Sequence, residues 1–244
     1  MTTARLSAAA VPRLIITAAP QRPDGVVVVL HGGRENDRTP ARVRQLAVLR
    51  MVPIARRVAA AGRGRLSVVR VLNGVRGWNA PDAAPVDDAR WVIERCRELF
   101  GDLPVGLIGH SMGARAALRA AGAPNVRSVV GLAPWLPPGE PTEQLRDRRV
   151  LIVHGSADRM TSPFASAAFA RSLAGVAAQT TYVDVPGERH AMLRRRDAFD
   201  GLAAAFTTGT LLGPDSARFG RRTETGPLTN LSRQALAGHS RLSA

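Results

Sequence analysis

The chain has 244 residues, 45% of them apolar, and a formal net charge of +15. This length and composition suit one α/β domain built around a single core. All 34 basic residues are arginine and are spread along the chain, and aromatic residues make up only 4%, so the charge does not predict a specific nucleic-acid-binding surface.

Short β-branched runs alternate along the chain with longer segments of helical spacing. The predicted strands are 13–17, 26–30, 66–72, 103–108, 126–132, 149–154 and 180–185. The predicted helices are 43–61, broken or kinked near Pro53, then 85–100, an Ala-rich helix after residue 113, 163–174 and 191–212. This alternation predicts an α/β fold, a doubly wound and mostly parallel sheet with helices on both faces.

The predicted domain spans residues 13–212. Residues 1–12 are expected to form a flexible lead-in. Residues 213–244 carry few large apolar side chains, so we expect a mobile tail with a short helical turn near 231–236. Since no apolar run reaches the length of a signal peptide or the ~18 residues of a membrane span, we expect no span and a cytoplasmic protein.

A tight turn with a serine at its centre follows the strand at 103–108. Its five residues are Gly109-His110-Ser111-Met112-Gly113. A nucleophile elbow of this kind strains the serine backbone, lifts the hydroxyl off the sheet and leaves the next amide at a helix N-terminus. The alternative is a Gly-bounded turn with a capping serine. The strand before the turn and the helix after it favour the elbow.

A serine nucleophile needs a base within hydrogen-bond reach and a carboxylate that orients the base. Asp158 follows the strand at 149–154 by a four-residue turn, and His190 lies on the loop after the strand at 180–185. The chain order serine, acid, histidine is the one expected for this fold. We therefore predict Ser111 as nucleophile, Asp158 as orienting acid and His190 as base. Asp184 is the alternative acid, and a turn or cap residue is the alternative role for Asp158.

The remaining candidate side chains are interpreted as structural. His31 and His154 each end a predicted strand before a glycine, and His110 is expected to pack or hydrogen-bond behind the serine. Cys96 lies in a helical pattern and is interpreted as a buried, inert thiol. A single cysteine excludes an internal disulfide and a cysteine-rich zinc site.

Over residues 13–212 the chain resembles compact α/β-hydrolases of the dienelactone-hydrolase-like or carboxylesterase type. The segments that carry the resemblance are His31-Gly32-Gly33, Gly109-His110-Ser111-Met112-Gly113, Gly155-Ser156-Ala157-Asp158 and Gly187-Glu188-Arg189-His190. The resemblance implies that the backbone amides of Gly33 and Met112 form an oxyanion hole. Dienelactone hydrolases carry cysteine at the elbow where this chain has Ser111. The interval from 132 to 149 is too short for the large cap of lid-bearing members.

These residues predict a serine hydrolase that cleaves a small-molecule ester or thioester through an acyl-enzyme, with no cofactor and no metal. A serine peptidase or an acyltransferase would use the same triad, and a non-catalytic binding module could share the fold.

The loops at the carboxyl ends of the strands are expected to shape the substrate pocket. Trp78 and Trp135 lie on such loops and could form apolar walls, with burial against the loop as the alternative. Guanidinium groups suit carboxylates and phosphates, so a preference for an anionic ester or thioester is predicted from the arginines on the same loops, Arg34, Arg76, Arg159 and Arg189.

Overall fold

The computed structural model describes residues 11–216 and 241–243, and they form one eight-stranded sheet with strand order β1-β3-β2-β4-β5-β6-β7-β8. β1 runs antiparallel to β3, and every other neighbouring pair is parallel. The strands are β1 (Arg13–Ala18), β2 (Gly25–Leu30), β3 (Leu66–Leu72), β4 (Val105–His110), β5 (Val126–Leu132), β6 (Arg149–Gly155), β7 (Gln179–Val185) and β8 (Arg241–Ser243).

Among the described residues, five α-helices cover the two faces of the sheet, which confirms the predicted fold class. They are α1 (Leu46–Gly62), α2 (Ala84–Phe100), α3 (Met112–Ala120), α4 (Pro163–Ser172) and α5 (Leu202–Leu212). The core side chains of α1 and α5 pack on one face, and those of α2, α3 and α4 pack on the other. The parallel strands therefore direct their carboxyl ends, and the loops that follow them, to one common edge.

The central strands show why the sheet is buried on both sides. In β2, Val26 and Val28 face the cluster beneath α2 and α3, whereas Val27 and Val29 face the cluster beneath α1 and α5. Side chains alternate across a strand, so a continuous β-branched run is what a strand covered on both faces requires.

Two predicted helices differ from those observed. α1 begins at Leu46 and continues through Pro53 without ending. The proline removes one donor from the helix ladder, but Met51 and Ile54 beside it are buried in the same core, and their packing offsets the loss. The last helix begins at Leu202, after a π-helical turn at Asp197–Gly201. The buried Met192, with a φ of 51°, turns the chain away from helix just after the predicted helix start at residue 191.

The interval between β5 and β6 contains one short 3₁₀ turn, Glu143–Leu145, and no cap helix. The tail extends the sheet, because Arg241–Ser243 pairs with β7, which the sequence did not predict. The predicted helical turn at 231–236 lies outside the described residues, as do residues 1–10. None of the helices within 11–216 is long and apolar enough to cross a membrane.

Candidate active site

The elbow lies between β4 and α3 and leaves no room for side chains at its two glycines. Ser111 has φ 56° and ψ −122°, a conformation that non-glycine residues rarely adopt. A Cβ on Gly109 would overlap the backbone of Gly113, and a Cβ on Gly113 would overlap the carbonyls of Leu30 and His31. Close packing between strand and helix therefore forces the turn that carries Ser111.

The loop after β2 passes directly beside the elbow. A Cβ on Gly32 would lie 3.3 Å from the Cβ of Ser111, and a Cβ on Gly33 would overlap the thioether of Met112 and the carbonyl of Arg76. Met112 is the first residue of α3, so its amide has no partner within the helix. The two residues expected to supply oxyanion donors are thus neighbours at one end of α3.

His31 ties this loop to β3, in keeping with its structural interpretation. Its Nδ1 lies 2.6 Å from the carbonyl oxygen of Gly32, and its Nε2 lies 3.1 Å from the amide nitrogen of Asn73. Because a carbonyl accepts and an amide donates, Nδ1 carries the hydrogen and Nε2 accepts. Burial lowers the pKa of His31, and the neutral ring satisfies both contacts.

Asp158 collects hydrogen bonds on both of its carboxylate oxygens. Oδ1 accepts from the amides of Met160 at 2.8 Å and Thr161 at 3.1 Å. Oδ2 lies 2.8 Å from Nδ1 of His190, 3.1 Å from Nε2 of His154 and 2.8 Å from the Thr161 hydroxyl. Burial acts to raise the pKa of this carboxyl, but the hydrogen bonds from His154, His190 and Met160 outweigh it and hold the pKa well below its usual range. Asp158 is therefore ionised at neutral pH.

His190 approaches the elbow through its contact with His110. Nε2 of His110 lies 2.9 Å from the carbonyl oxygen of His190, and the ring centroids are 4.8 Å apart. Burial, reinforced by the neighbouring His190, lowers the pKa of His110 to about 3, so His110 is neutral and donates through Nε2. Because His110 precedes Ser111, this contact brings the predicted base and the predicted nucleophile to the same edge of the sheet.

The structure separates the two candidate acids. Asp158 contacts His190, whereas Asp184 lies within β7, in register with His154 of β6, and its Oδ1 is buried without a partner among the described residues. The Ser111 hydroxyl makes no hydrogen bond to any described side chain, His190 included. Catalytic hydrogen bonds are often long or absent before substrate binds.

Trp78 does not form an open pocket wall. It is only 2% exposed, because the guanidinium of Arg115 lies 3.9 Å from its ring centroid and that of Arg119 lies 5.4 Å away. Burial against its surroundings, the alternative interpretation, therefore holds for this residue. Trp135 meets Trp78 edge to face at 6.0 Å and keeps part of its surface, so it stays a candidate wall.

A carboxylate compensates the charge of these arginines. Glu140 binds Arg115 at 2.5 Å and Arg119 at 2.8 Å, and its side chain is almost fully buried. Cation–π contacts of this kind are strongest when the cation is shielded from water. No local pattern in the sequence predicts this cluster, because its members come from three separate loops and helices.

The four arginines predicted to lie on the loops at the carboxyl ends of the strands fall into two groups. Arg34 and Arg76 both lie near Asp37, at 3.9 Å and 3.3 Å, so a carboxylate partly compensates their charge. Arg159 and Arg189 are exposed and make no ion pair with a residue that the structure describes. At this edge of the sheet, Arg159 and Arg189 are therefore better candidates than Arg34 for binding an anionic group.

Sequence reasoning missed two members of the acid's surroundings, His154 and Thr161. His154 is the last residue but one of β6, and its sequence position predicts a structural role, yet it donates to Asp158. The one available signal was the spacing of four residues between His154 and Asp158 across a strand-end turn, and such spacing alone is too common to identify a contact.

Comparisons with known proteins agree with this architecture. A family model described as alpha/beta hydrolase fold matches residues 73–192. The structure is similar to Est1E from Butyrivibrio proteoclasticus, with a TM-score of 0.60, 13% identity, and coverage of 82% of this chain and 94% of that one. It is also similar to XC6422 from Xanthomonas campestris, described as a serine hydrolase without lid, with a TM-score of 0.59, 20% identity and coverage of 79% and 85%.

A third similar structure is the monoacylglycerol lipase of Paleococcus ferrophilus, with a TM-score of 0.57, 15% identity, and coverage of 82% of this chain and 98% of that one. No curated protein matches the chain by sequence. At these identities the solved structures establish the fold. Its sheet order, its strand–elbow–helix unit and the match over residues 73–192 show that the chain has the α/β-hydrolase fold.

Proposed function

We propose that this protein is a serine hydrolase that cleaves a small-molecule carboxylic ester or thioester through an acyl-enzyme. The observation that carries the proposal is the 2.8 Å contact between Nδ1 of His190 and the ionised Asp158, on the loop that meets the elbow. This contact makes Nδ1 the protonated nitrogen, so the lone pair of Nε2 is left to act as a base. A cytoplasmic location belongs to the same proposal.

The proposed reaction has two acyl-transfer steps. Nε2 of His190 removes the Ser111 proton while Oγ attacks the substrate carbonyl, and the amides of Gly33 and Met112 stabilise the oxyanion. The imidazolium then protonates the leaving alcohol or thiol, and the carbon–oxygen or carbon–sulfur bond breaks. Water, deprotonated by His190, attacks the acyl-enzyme, the acyl bond to Oγ breaks, and the imidazolium returns the proton to Oγ as the acid leaves. Asp158 stabilises the imidazolium in both steps and stays ionised.

The substrate side of the proposal rests on the lid-less edge and on the exposed arginines. Without a cap helix the pocket opens to solvent, which suits small or extended acyl groups. Arg159 and Arg189 flank Asp158 and His190 along the chain and have no compensating partner among the described residues, so we expect faster turnover of carboxylate-bearing esters than of neutral esters of equal size.

Labelling with a fluorophosphonate probe and hydrolysis of p-nitrophenyl acyl esters of graded length and charge test the proposal. The wild-type protein should label, and Ser111→Ala should lose labelling and at least ~10⁴-fold in kcat. Ser172→Ala is the matched control. Ser172 is the last residue of α4, at the end of the helix away from Asp158 and Thr161, and its hydroxyl bonds only the carbonyl of Phe169. Wild-type labelling of Ser111→Ala would overturn the assignment. Absence of labelling in the folded wild-type protein would favour a binding module.

A further inference from the structure

A second histidine binds the same carboxylate oxygen as His190. His154 is completely buried, and its Nε2 lies 3.1 Å from Oδ2 of Asp158. Its other ring nitrogen, Nδ1, lies 2.8 Å from the hydroxyl of Ser166, a fully buried residue of α4. A continuous line of side chains therefore runs from α4 through His154 and Asp158 to His190.

The position of each proton along this line follows from the chemistry of its members. The ionised carboxylate of Asp158 can only accept, so Nε2 of His154 must carry a hydrogen. In the neutral ring Nδ1 then has a lone pair, and the Ser166 hydroxyl donates to it. The Thr161 hydroxyl has one hydrogen, and its 2.8 Å contact with Oδ2 is the shortest of its contacts. Every donor near Oδ2 is thus directed at this oxygen.

We propose that His154 is a positioning residue for the reaction, fixed by the Asp158 carboxylate in the tautomer that donates through Nε2 and oriented by the Ser166 hydroxyl at Nδ1. His154 holds Oδ2 toward His190 and takes up part of the negative charge on that oxygen. The inference rests on the proposed function, since it assigns His154 a part in the work of the same acid and base.

The consequence for His190 has a definite sign. Hydrogen bonds to one acceptor oxygen compete, because each donor reduces the charge available to the others. When the His154 donor is removed, Oδ2 keeps more negative charge to stabilise the protonated ring of His190. The titration midpoint of the His190 ring should therefore move to higher pH.

The Thr161 hydroxyl lies 3.2 Å from Nδ1 of His190 and 3.3 Å from Nε2 of His154, so it contacts both rings. The titratable and charged groups that face His190, apart from Asp158, stay constant in this comparison. His110 packs against its ring and is neutral. From α1, Arg50 donates to the carbonyl of Ala191 and is paired with Asp200. None of these groups touches His154 in the structure.

His154→Phe and His154→Gln separate the hydrogen bond from the packing. Phenylalanine keeps a ring of similar size and has no donor, whereas the amide nitrogen of glutamine can occupy the position of Nε2. We expect His154→Phe to raise the midpoint of the acid limb of kcat/KM by about 0.5 pH unit. Its kcat should fall by about 3- to 10-fold at an unchanged KM, and His154→Gln should restore the midpoint.

Selective ¹⁵N labelling of the five histidines gives a readout that needs no turnover. The wild-type spectrum should show His154 protonated at Nε2, and the ring titration of His190 should move upward in His154→Phe. Because this measurement uses no substrate, its failure is distinguishable from failure of the hydrolase proposal. A His154 ring protonated only at Nδ1, or an unmoved His190 titration in folded His154→Phe, would overturn the inference.

Ser166→Ala keeps the test decisive if His154→Phe fails to fold, since it removes a single buried oxygen. Without that hydroxyl Nδ1 of His154 loses its hydrogen-bond donor and the ring is held less firmly against Oδ2, so the same upward shift should appear at smaller size. Ser166→Thr retains the hydroxyl and should behave as wild type. An unchanged titration in Ser166→Ala would contradict the role of Ser166 in orienting His154.

Discussion

The two halves of the candidate site are held in place by different means. On the elbow side, Ser111 is positioned by backbone close-packing, because a Cβ on Gly109 or Gly113 would collide with main-chain atoms. On the acid and base side, Asp158 is positioned by side-chain and amide hydrogen bonds that reach it from His154, Thr161 and the following loop.

This difference sets how each half responds to mutation. Main-chain atoms packed at the elbow cannot move aside for a new side chain, so substitutions at the elbow should lower the free energy of unfolding. A hydrogen-bonded carboxylate can lose one donor and keep the others, so substitutions at or around Asp158 should lower kcat in a protein that still folds. Breaking each half separately therefore tests the comparison, and the expected effects below run from the largest to the smallest.

Asp158→Asn should break the acid side without disturbing the elbow. Asparagine preserves the shape but presents an amide, which favours the wrong tautomer of His190, so we expect kcat to fall by about 10⁴-fold. Steady-state kinetics on the best ester and a thermal melt check both parts. A loss below tenfold would mean that another carboxylate orients His190, and Asp184→Asn would then be the variant to compare.

Gly109→Ala should break the elbow side through stability. The new methyl group would meet the carbonyl of Gly113 and the Cα of Ala114, and backbone atoms cannot rotate away, so we expect a loss of at least about 3 kcal/mol in the free energy of unfolding. Gly122→Ala is the matched control, because its Cβ would lie 3.4 Å from the side chain of Gln144. That variant should change stability by less than about 0.5 kcal/mol. Equal stabilities in urea titrations would refute the close-packing account.

Asp88→Asn sharpens the comparison, because Asp88 is a side chain that supports the elbow side. Its Oδ2 accepts from the amide of Gly74 at 2.9 Å. Gly74 lies on the loop whose Arg76 carbonyl packs against Gly33. Burial raises the pKa of Asp88 to about 6. The folded protein therefore holds a proton that the unfolded chain releases near pH 4, and this group lowers stability as pH rises from about 4 to 6.

The asparagine variant keeps an acceptor for Gly74 and has no charge to bury. We expect its stability to equal that of wild type near pH 4 and to exceed it by about 1–2 kcal/mol at pH 7.5, after a discount for solvent screening. Urea titrations at both pH values measure the difference. A difference between variant and wild type that does not change with pH would show that Asp88 titrates normally in the folded protein.

Much of the architecture follows from local sequence. The β-branched runs at 26–30 and 126–132 correspond to buried strands, and the Gly-bounded serine lies between β4 and α3 because strand and helix can approach only where Cβ atoms are missing. Asp158 and His190 could be chosen as candidates because strand ends in a parallel sheet share one edge. These inferences need only short-range periodicity and chain order.

The contacts at this edge depended on tertiary structure. Whether Asp158 or Asp184 meets His190 is decided by the orientation of side chains at the ends of β6 and β7, and no local pattern carries that orientation. Ser166 reaches His154, and Arg115 covers Trp78, because helices distant in sequence pack onto the same strands. The sequence by itself determined the order of elements and the location of the serine. Only the tertiary packing decided which buried groups form hydrogen bonds with each other, since a hydrogen bond requires both partners to lie within about 3 Å of each other in space.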